Sequence, residues 1–407
     1  MCLTWLIQVL FMLMLSACVT TGDRKPSMTA DPTLDQSIGL TMDQLTEQLQ
    51  KQPAFASGFE RQISKTLGQI RGASVSVKRP VLVVDTFIDG ATGQQTNATK
   101  FAESRMYEQS RSRLTLFEVQ PARASSISSA EYVLTSVLFA LPGQSGKFRL
   151  AASLIEIKSG RVVAQTENRI SDNTLDQTPT IFYRESPTLV KDRIVDGQIR
   201  TAQSGVGQVA DREYLDRISA VALVNEGMDA FNAGRYSDAA RIYTELSQRP
   251  DGQQVRVLNG LYVSLMNLMR ADEAEVVFGK VVSLGLATNN LSVKFLFRPG
   301  STEFWSDARL TSSYPMWIRQ LSRQLQSTNK CVVIVGHTSK TGSEQTNERL
   351  SLQRADSMRQ RLFPQGQAAN RIKTEGRGWQ ENMVGSGTDD QRDALDRRVE
   401  FRVVNCG

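Results

Sequence analysis

Residues 331–355 read CVVIVGHTSKTGSEQTNERLSLQRA, and this stretch decides how the C-terminal part of the chain folds. Cys331–Val335 is a continuous apolar run, typical of a buried strand, and the turn Gly336-His337-Thr338-Ser339 follows it. A helix is predicted from Asn347, because apolar side chains recur along one face at Leu350, Ala355, Met358 and Leu362. The stretch therefore predicts a buried strand, a polar loop and a long helix.

Further elements are predicted on both sides of this stretch. Val293–Phe297 reads as a short apolar strand, and a helix is expected from about Leu310 to Leu325. Ile372–Gly378 and Arg398–Val404 read as the remaining strands. The order β-α-β-α-β-β predicts a small mixed sheet with two helices on one face, in a domain spanning 291–407.

The motifs of this domain match those of a known family in order and spacing. They are Gly336-His337-Thr338, Gly342, Asn347-Glu348-Arg349-Leu350-Ser351, Arg354-Ala355, Gly376, Gly378 and Arg397-Arg398-Val399. Through them the domain resembles the OmpA-like peptidoglycan-binding domain. The resemblance implies that it binds the peptide stem of peptidoglycan, centred on diaminopimelate. The residues implied in binding are Thr338, Ser339, Asn347, Leu350, Ser351, Arg354 and Arg398.

Arg354 is the central residue of this predicted site. A guanidinium is a forked, permanently charged donor that suits the free carboxylate of such a ligand. Ser351 lies three residues earlier on the same helix, so both side chains can face one pocket, and Leu350 could pack on the ligand's aliphatic chain. Backbone donors of the loop 338–342 would complete the site. The alternative is a surface arginine in an ordinary ion pair, within a domain that is structural or binds a protein partner.

Two positions depart from the family pattern. The family usually has an Asp after Gly-His-Thr, which pairs with the ligand's ammonium group, and this chain has Ser339. A neutral hydrogen bond is about half as strong as a charge-assisted one, so we expect weaker diaminopimelate binding or a different stem. Asp396 stands where the family commonly has Asn.

The amino terminus carries an apolar run at residues 3–15. Its length is short for a membrane span and suits the core of a signal peptide. Leu15-Ser16-Ala17-Cys18 resembles the lipobox of bacterial lipoproteins. The resemblance implies a signal peptide at 1–17, acylation of Cys18 and anchoring to the periplasmic face of the outer membrane, because Val19 and not Asp follows. We expect residues 18–40 to be the lipidated cysteine and a linker.

A helical segment at 41–77 and an α/β module at 78–170 are predicted next. In the module, strands alternate with a helix from about Asn97 to Arg113 and end in a hairpin. The module resembles the periplasmic modules of the curli secretion protein CsgG and the peptidoglycan-synthase activator lipoprotein LpoB. The stretches that carry this resemblance are Leu82–Phe87, Ala130–Leu134 and Leu154–Val163.

Residues 171–211 are polar and rich in Gly, and we expect a linker there. Residues 212–288 resemble tetratricopeptide repeats, whose period is about 34 residues. Ala239 and Ala274 occupy equivalent positions 35 residues apart. Small and large side chains alternate at Gly227, Phe231, Gly234, Tyr236, Ala239 and Tyr243, and again at Leu265, Ala271, Ala274 and Phe278. Two interpretations stay open, a helical spacer and a groove for an unidentified periplasmic protein.

Charge and composition narrow the function classes. The net charge is +6, and residues 291–407 hold 18 Lys and Arg against 12 Asp and Glu, which favours an anionic partner of that domain. Basic runs interleaved with aromatics are missing from the sequence, so nucleic acid is not expected. His337 is the sole histidine and has no cluster of ligating residues in sequence, so we predict no metal, no cofactor and no enzyme activity. Cys331 and Cys406 are either a disulfide or two buried thiols.

These observations predict a multidomain α+β protein. The main hypothesis is an outer-membrane lipoprotein that binds peptidoglycan non-covalently, tethers the envelope and scaffolds a periplasmic partner. Two alternatives remain: the module 78–170 regulates a peptidoglycan synthase, or the chain is an accessory of a secretion, pilus or flagellar apparatus.

Overall fold

The computed structural model describes residues 31–53, 55, 79–141, 143–189, 191–364, 370–385, 387 and 389–406. The predicted signal peptide and Cys18 lie outside these residues, as do residues 56–78, which include more than half of the predicted helical segment 41–77. All elements below belong to one compact unit, Pro32–Gly407. Over the described ranges, none of the helices has the length and apolar character needed to cross a membrane.

The first sheet contains six strands, and two helices lie in the same part of the chain. The strands are β1 Val81–Val84, β2 Ile88–Asp89, β3 Glu118–Pro121, β4 Tyr132–Ala140, β5 Lys147–Glu156 and β6 Arg161–Ser171. Helix α2 spans Asn97–Arg113, as predicted, and the short α3 spans Ala124–Ile127. Strand β1 pairs in parallel with β3 and β4, while β4, β5 and β6 form an antiparallel meander. The α/β arrangement is therefore confirmed, and the specific likeness to CsgG and LpoB stays a prediction.

Helix α1, Leu34–Gln50, corrects the predicted linker at 18–40 and the helical start at 41. Thr33 and Gln36 form a capping box at its first turn, and Leu34 and Ile38 extend the buried stripe by about two turns at the amino end. The helix packs on β6, where the Ser37 hydroxyl donates to the Arg169 carbonyl at 2.9 Å. These turns are not evident from the sequence because their buried face contains only two large apolar residues.

The predicted linker 171–211 is also wrong, because it contains two buried helices. They are α4, Ile181–Glu185, and α5, Arg193–Ala202. Asp192 caps α5 by accepting hydrogen bonds from the amides of Ile194 and Val195. The apolar face of α5 packs on strands β4 and β5, so α5 belongs to the core of the first module, whereas Phe182 and Tyr183 of α4 join the apolar core of the helices that follow.

Five helices form the next region: α6 Arg212–Asp216, α7 Ile218–Asn232, α8 Tyr236–Ser247, α9 Val255–Asn267 and α10 Ala271–Ala287. Helices α7 with α8 and α9 with α10 make two hairpins. Gly227 and Gly260 lie against the ring of Tyr243, where an added Cβ would come within 2.7 and 2.3 Å of it. The alternation of small and large residues thus lets the helices approach closely. The assignment of these hairpins to the tetratricopeptide family stays a prediction.

The second sheet has the order β7-β10-β8-β9, with two long helices beside it. The elements are β7 Phe295–Leu296, α11 Ala308–Thr311, α12 Tyr314–Gln326, β8 Cys331–Gly336, α13 Glu344–Leu362, β9 Ile372–Gly376 and β10 Arg398–Val404. The predicted β-α-β-α-β-β order is confirmed. Helix α13 begins three residues before Asn347 because the Ser343 hydroxyl caps it. Cys331 and Cys406 form a disulfide, with 5.2 Å between their Cα atoms.

Candidate functional site

Strand β8 ends close against helix α13, and this contact sets the position of the loop that follows. A Cβ on Gly336 would lie 1.9 Å from the carbonyl oxygen of Ser351, so only glycine fits there. The Ser351 hydroxyl donates to the Glu348 carbonyl at 2.7 Å and accepts from the amide of Gly378 at 3.0 Å. Ser351 therefore fixes the loop after β9, and its side chain is fully buried.

Asn347 and Thr338 also serve the loops around the start of α13. The Asn347 amide donates to the carbonyls of Thr341 and Ser343 at 2.8 and 3.1 Å, and so holds the turn at Gly342, whose φ is +89°. Thr338 donates its backbone amide to Gly378 at 2.8 Å, while its buried hydroxyl has no partner among the described residues. Both side chains are buried, and Leu350 beside them is partly exposed.

Arg354 is buried, which corrects the expectation that its guanidinium opens onto a pocket. Its Nε donates to the Ser301 carbonyl at 2.9 Å, Nη2 to the Arg298 carbonyl at 2.8 Å and Nη1 to the His337 carbonyl at 2.8 Å. Burial, and then repulsion from Arg397, lowers the pKa of Arg354 to about 9. In the described part of the chain no carboxylate lies within ion-pair distance of it, so the alternative of an ordinary ion pair is not observed either.

A second buried arginine, Arg397, lies close by and has an acidic partner that the sequence analysis missed. Its Nη1 donates to Oδ1 of Asp389 at 3.1 Å, and its Nε donates to the Phe297 carbonyl at 3.2 Å. Oδ1 of Asp389 also accepts from the Ser339 hydroxyl, and Oδ2 accepts from the Thr341 hydroxyl. Ser339, which stands in place of the family's acid, is thus in direct contact with a carboxylate from another loop.

Arg398 lies apart from these contacts, in a charged cluster beside His337. Its Nε donates to Glu400 at 2.9 Å and its Nη1 to the Leu395 carbonyl at 3.2 Å. His337 is fully buried, with Nε2 3.5 Å from Glu400 and Nδ1 3.9 Å from Glu381. Burial lowers the pKa of His337. Burial alone would raise the pKa of Glu400, but the neighbouring His337 and Arg398 outweigh this effect and lower the pKa of Glu400.

The side chains of His337, Glu381 and Glu400 approach one another closely enough to hold a metal ion. Arg402 donates to both carboxylates, and Arg398 pairs with Glu400. A divalent cation would have to displace these guanidiniums, so the donor set fits an ion-pair network better than a metal site.

Asp396, the second departure from the family pattern, has a structural role in the loop before it. Its carboxylate accepts from the backbone amides of Met383, Val384 and Gly385 at 2.6, 3.0 and 2.7 Å. An Asn at this position would present only one acceptor oxygen to these three donors. Asp396 is fully buried, and burial raises its pKa.

The structure therefore brings Thr338, Ser339, Asn347, Ser351 and Arg354 around one set of loops and leaves the Arg398 side chain in the neighbouring cluster. Most of these side chains hold backbone segments in place. Beside them the carboxylate of Asp389 reaches solvent, with 27% of its side chain exposed, and Lys340, between Ser339 and Thr341, is exposed as well.

Comparison with known proteins identifies the fold of this region. A model of the OmpA family matches residues 296–395. The probable lipoprotein YiaD of Escherichia coli is 44% identical over 70 residues, which are 17% of this chain and 32% of that protein. Outer membrane protein A of Shimwellia blattae is 40% identical over 92 residues, 21% of this chain and 38% of that protein. The chain thus spans between 32% and 38% of the length of these two relatives.

Solved structures with a similar region include the peptidoglycan-associated lipoprotein from Burkholderia pseudomallei, at 20% identity and a TM-score of 0.24. The match covers 27% of this chain and 89% of that one. The cell wall anchor of the type VI secretion system from Pseudomonas aeruginosa is 23% identical with a TM-score of 0.22, over 26% of this chain and 73% of that one. The family match establishes that the C-terminal part of the chain is an OmpA-like domain.

Proposed function

We propose that the chain binds peptidoglycan non-covalently through its OmpA-like domain and, through acylated Cys18, tethers the outer membrane to the cell wall. The observation that carries the proposal is the buried guanidinium of Arg354, which has hydrogen-bond acceptors but no carboxylate partner in the described structure. A buried cation of this kind stabilises an anion that approaches it far more strongly than an exposed one does. Free carboxylates are the anions that cell-wall peptides offer.

The local charge balance supports an anionic ligand. Arg354 and Arg397 are both buried, and burial first and then the charge of Arg397 lower the pKa of Arg354. Asp389 is paired with Arg397 and compensates one of the two charges. Among the described residues Arg354 itself has no carboxylate within ion-pair distance, and residues 291–407 as a whole carry an excess of Lys and Arg.

The geometry also suggests how a carboxylate would bind. The carbonyl oxygens of Arg298 and Ser301 accept from Nη2 and Nε of Arg354, the edge of a guanidinium that takes both oxygens of a carboxylate. In this proposal the loop 298–301 moves and the ligand's carboxylate replaces these two oxygens. The Nη1 bond to the His337 carbonyl remains and keeps the guanidinium in its orientation.

Cosedimentation of the full chain, solubilised in mild detergent, with purified sacculi tests the proposal. Wild type should pellet with the sacculi, and Arg354→Met should lose most of this binding. Arg319→Met is the matched control, because Arg319 is an exposed arginine of the same domain whose partner is Glu275 on α10. The proposal is wrong if wild type stays in the supernatant, or if Arg354→Met binds as wild type does while its circular dichroism shows a native fold.

The other expectations for the middle of the chain remain predictions. A periplasmic partner at the helical hairpins, regulation of a peptidoglycan synthase and service to an envelope apparatus each rest on resemblance alone. Stimulation of glycan polymerisation by the full chain would favour the second of these.

A further inference from the structure

We propose that Asp389 binds an ammonium group of the cell-wall peptide, at the position where Ser339 leaves the site without an acid. The ligand class is a primary ammonium, such as the free amino group of a stem-peptide residue. This inference rests on the proposed function and adds a second recognition element to it, one that selects for a cationic group beside the carboxylate.

The carboxylate of Asp389 is held in place from several directions. The hydroxyls of Ser339 and Thr341 donate to its two oxygens, and the two hydroxyl oxygens lie 3.4 Å apart. Arg397 donates to Oδ1 at 3.1 Å. The Asp389 amide donates to Asp393 at 3.1 Å. The side chain is therefore fixed before a ligand arrives, which reduces the entropy lost on binding.

The backbone of Asp389 has a φ of +55°, the left-handed region that L-residues other than Asn and Asp seldom adopt. This conformation persists because the hydrogen bonds of the side chain and the amide determine it. Asp389 comes from a loop 50 residues further along the chain than Ser339. The loop that carries Asp389 thus places an acid next to Ser339, where the loop of Ser339 itself has none.

The carboxylate remains available for a further contact. A carboxylate oxygen accepts two hydrogen bonds, and Oδ2 of Asp389 has one donor, Thr341, among the described residues. The side chain is 27% exposed, and Thr341 beside it is exposed as well. Burial raises the pKa of Asp389, but the hydroxyls and Arg397 outweigh this effect and lower it, so the group is ionised at neutral pH.

The competing interpretation is that Asp389 only neutralises Arg397. Arg397 has other partners, since its Nε and Nη2 donate to the carbonyls of Phe297 and Asp390, and its guanidinium lies 5.1 Å from the ring of Trp305. Loss of Asp389 would then lower stability but would not change which chemical groups on the ligand matter. The two interpretations differ in how binding responds to the ligand's amino groups.

The experiment compares untreated sacculi with sacculi whose amino groups have been acetylated, which removes ammonium and leaves every carboxylate in place. Wild type should bind acetylated sacculi about tenfold more weakly. Asp389→Asn should bind both preparations with the same reduced affinity. Ser339→Asp in the Asp389→Asn background should restore the preference for untreated sacculi, and Asp272→Asn, which removes an exposed carboxylate from α10, should behave as wild type.

The outcomes separate this inference from the proposed function. If wild type does not bind untreated sacculi, peptidoglycan binding itself is wrong. If wild type binds both preparations equally well, or if Asp389→Asn still discriminates between them, the proposed function stands and ammonium recognition by Asp389 is wrong.

Discussion

The indole Nε1 of Trp317 donates a 2.7 Å hydrogen bond to the hydroxyl of Tyr262, which joins helix α12 of the OmpA-like domain to helix α9 of the hairpins. The indole also stacks on Phe278 of α10, with 5.5 Å between ring centroids. Trp317 is 1% exposed, and the hairpins and the domain share one continuous apolar core. The two regions are therefore expected to unfold together.

Trp317→Ala should lower the free energy of unfolding by about 3–5 kcal/mol, because it empties a large buried site. Tyr262→Phe removes only the hydrogen bond and should lower it by about 1 kcal/mol. Guanidinium denaturation followed by circular dichroism measures both values. An unfolding midpoint of Trp317→Ala equal to that of wild type would contradict the shared core.

Lys294 should make stability depend on pH above neutrality. Its ammonium is buried, donates to the carbonyls of Ser186 and Thr188 at 2.5 and 2.9 Å, and burial lowers its pKa from 10.5 to about 7. Between these two values the unfolded chain holds a proton that the folded chain lacks, so rising pH favours the folded state.

The free energy of unfolding of wild type relative to Lys294→Met should therefore rise between pH 7 and pH 9, by at most about 1.4 kcal/mol per pH unit. Below pH 7 the difference should be flat. Lys280→Met, at an exposed position, should give a constant difference throughout. Parallel curves for wild type and Lys294→Met above pH 7 would show that Lys294 titrates normally.

The disulfide should stabilise the OmpA-like domain strongly. Cys331 starts β8 and Cys406 follows β10, so the bond closes a loop with a sequence separation of 75 residues between neighbouring strands. Its removal in the Cys331→Ser, Cys406→Ser double variant should lower the free energy of unfolding by about 4 kcal/mol, chiefly by freeing the unfolded chain. Urea denaturation under oxidising and reducing conditions measures this, and an unchanged wild-type midpoint under reduction would contradict it.

Gly336→Ala should destabilise the fold by about 1–3 kcal/mol or more, because the new Cβ overlaps the Ser351 carbonyl and strand β8 must shift. Gly205→Ala is the control, since its Cβ would have no neighbour closer than 3.9 Å. Thermal denaturation compares the two variants. Equal melting temperatures for Gly336→Ala and wild type would show that the strand and helix can separate at little cost.

The elements with strong local patterns were predicted correctly from the sequence. Helix α2 carries its own cap at Thr96, and β8 is a continuous apolar run, so neighbouring residues determine both. Helix α5 is not predicted from the sequence, because polar residues and Gly197 interrupt its apolar pattern. Its apolar face is evident only from its packing against β4 and β5.

Of the predicted site residues, the structure brings Thr338, Ser339, Asn347, Ser351 and Arg354 together around one set of loops, and their contacts could not be predicted from the sequence. Arg354 was identified by its motif, yet the carbonyls it binds belong to residues 298, 301 and 337, and no local pattern relates these to one helix position. Asp389 was missed for the same reason, since its contact with Ser339 depends on the conformation of two loops. An acidic pair, Asp389-Asp390, just before the Arg397-Arg398 motif is the signal that could have suggested it.

The packing of Trp317 on the hairpins has a mechanical consequence if the chain does hold the wall. A pulling force applied at the loops around Arg354 would be transmitted to the hairpins through the packed rings of Trp317, Tyr262 and Phe278. Such a load stretches a packed interface only slightly before it breaks. Through the core that they share, the hairpins and the C-terminal domain would then bear such a load as one body.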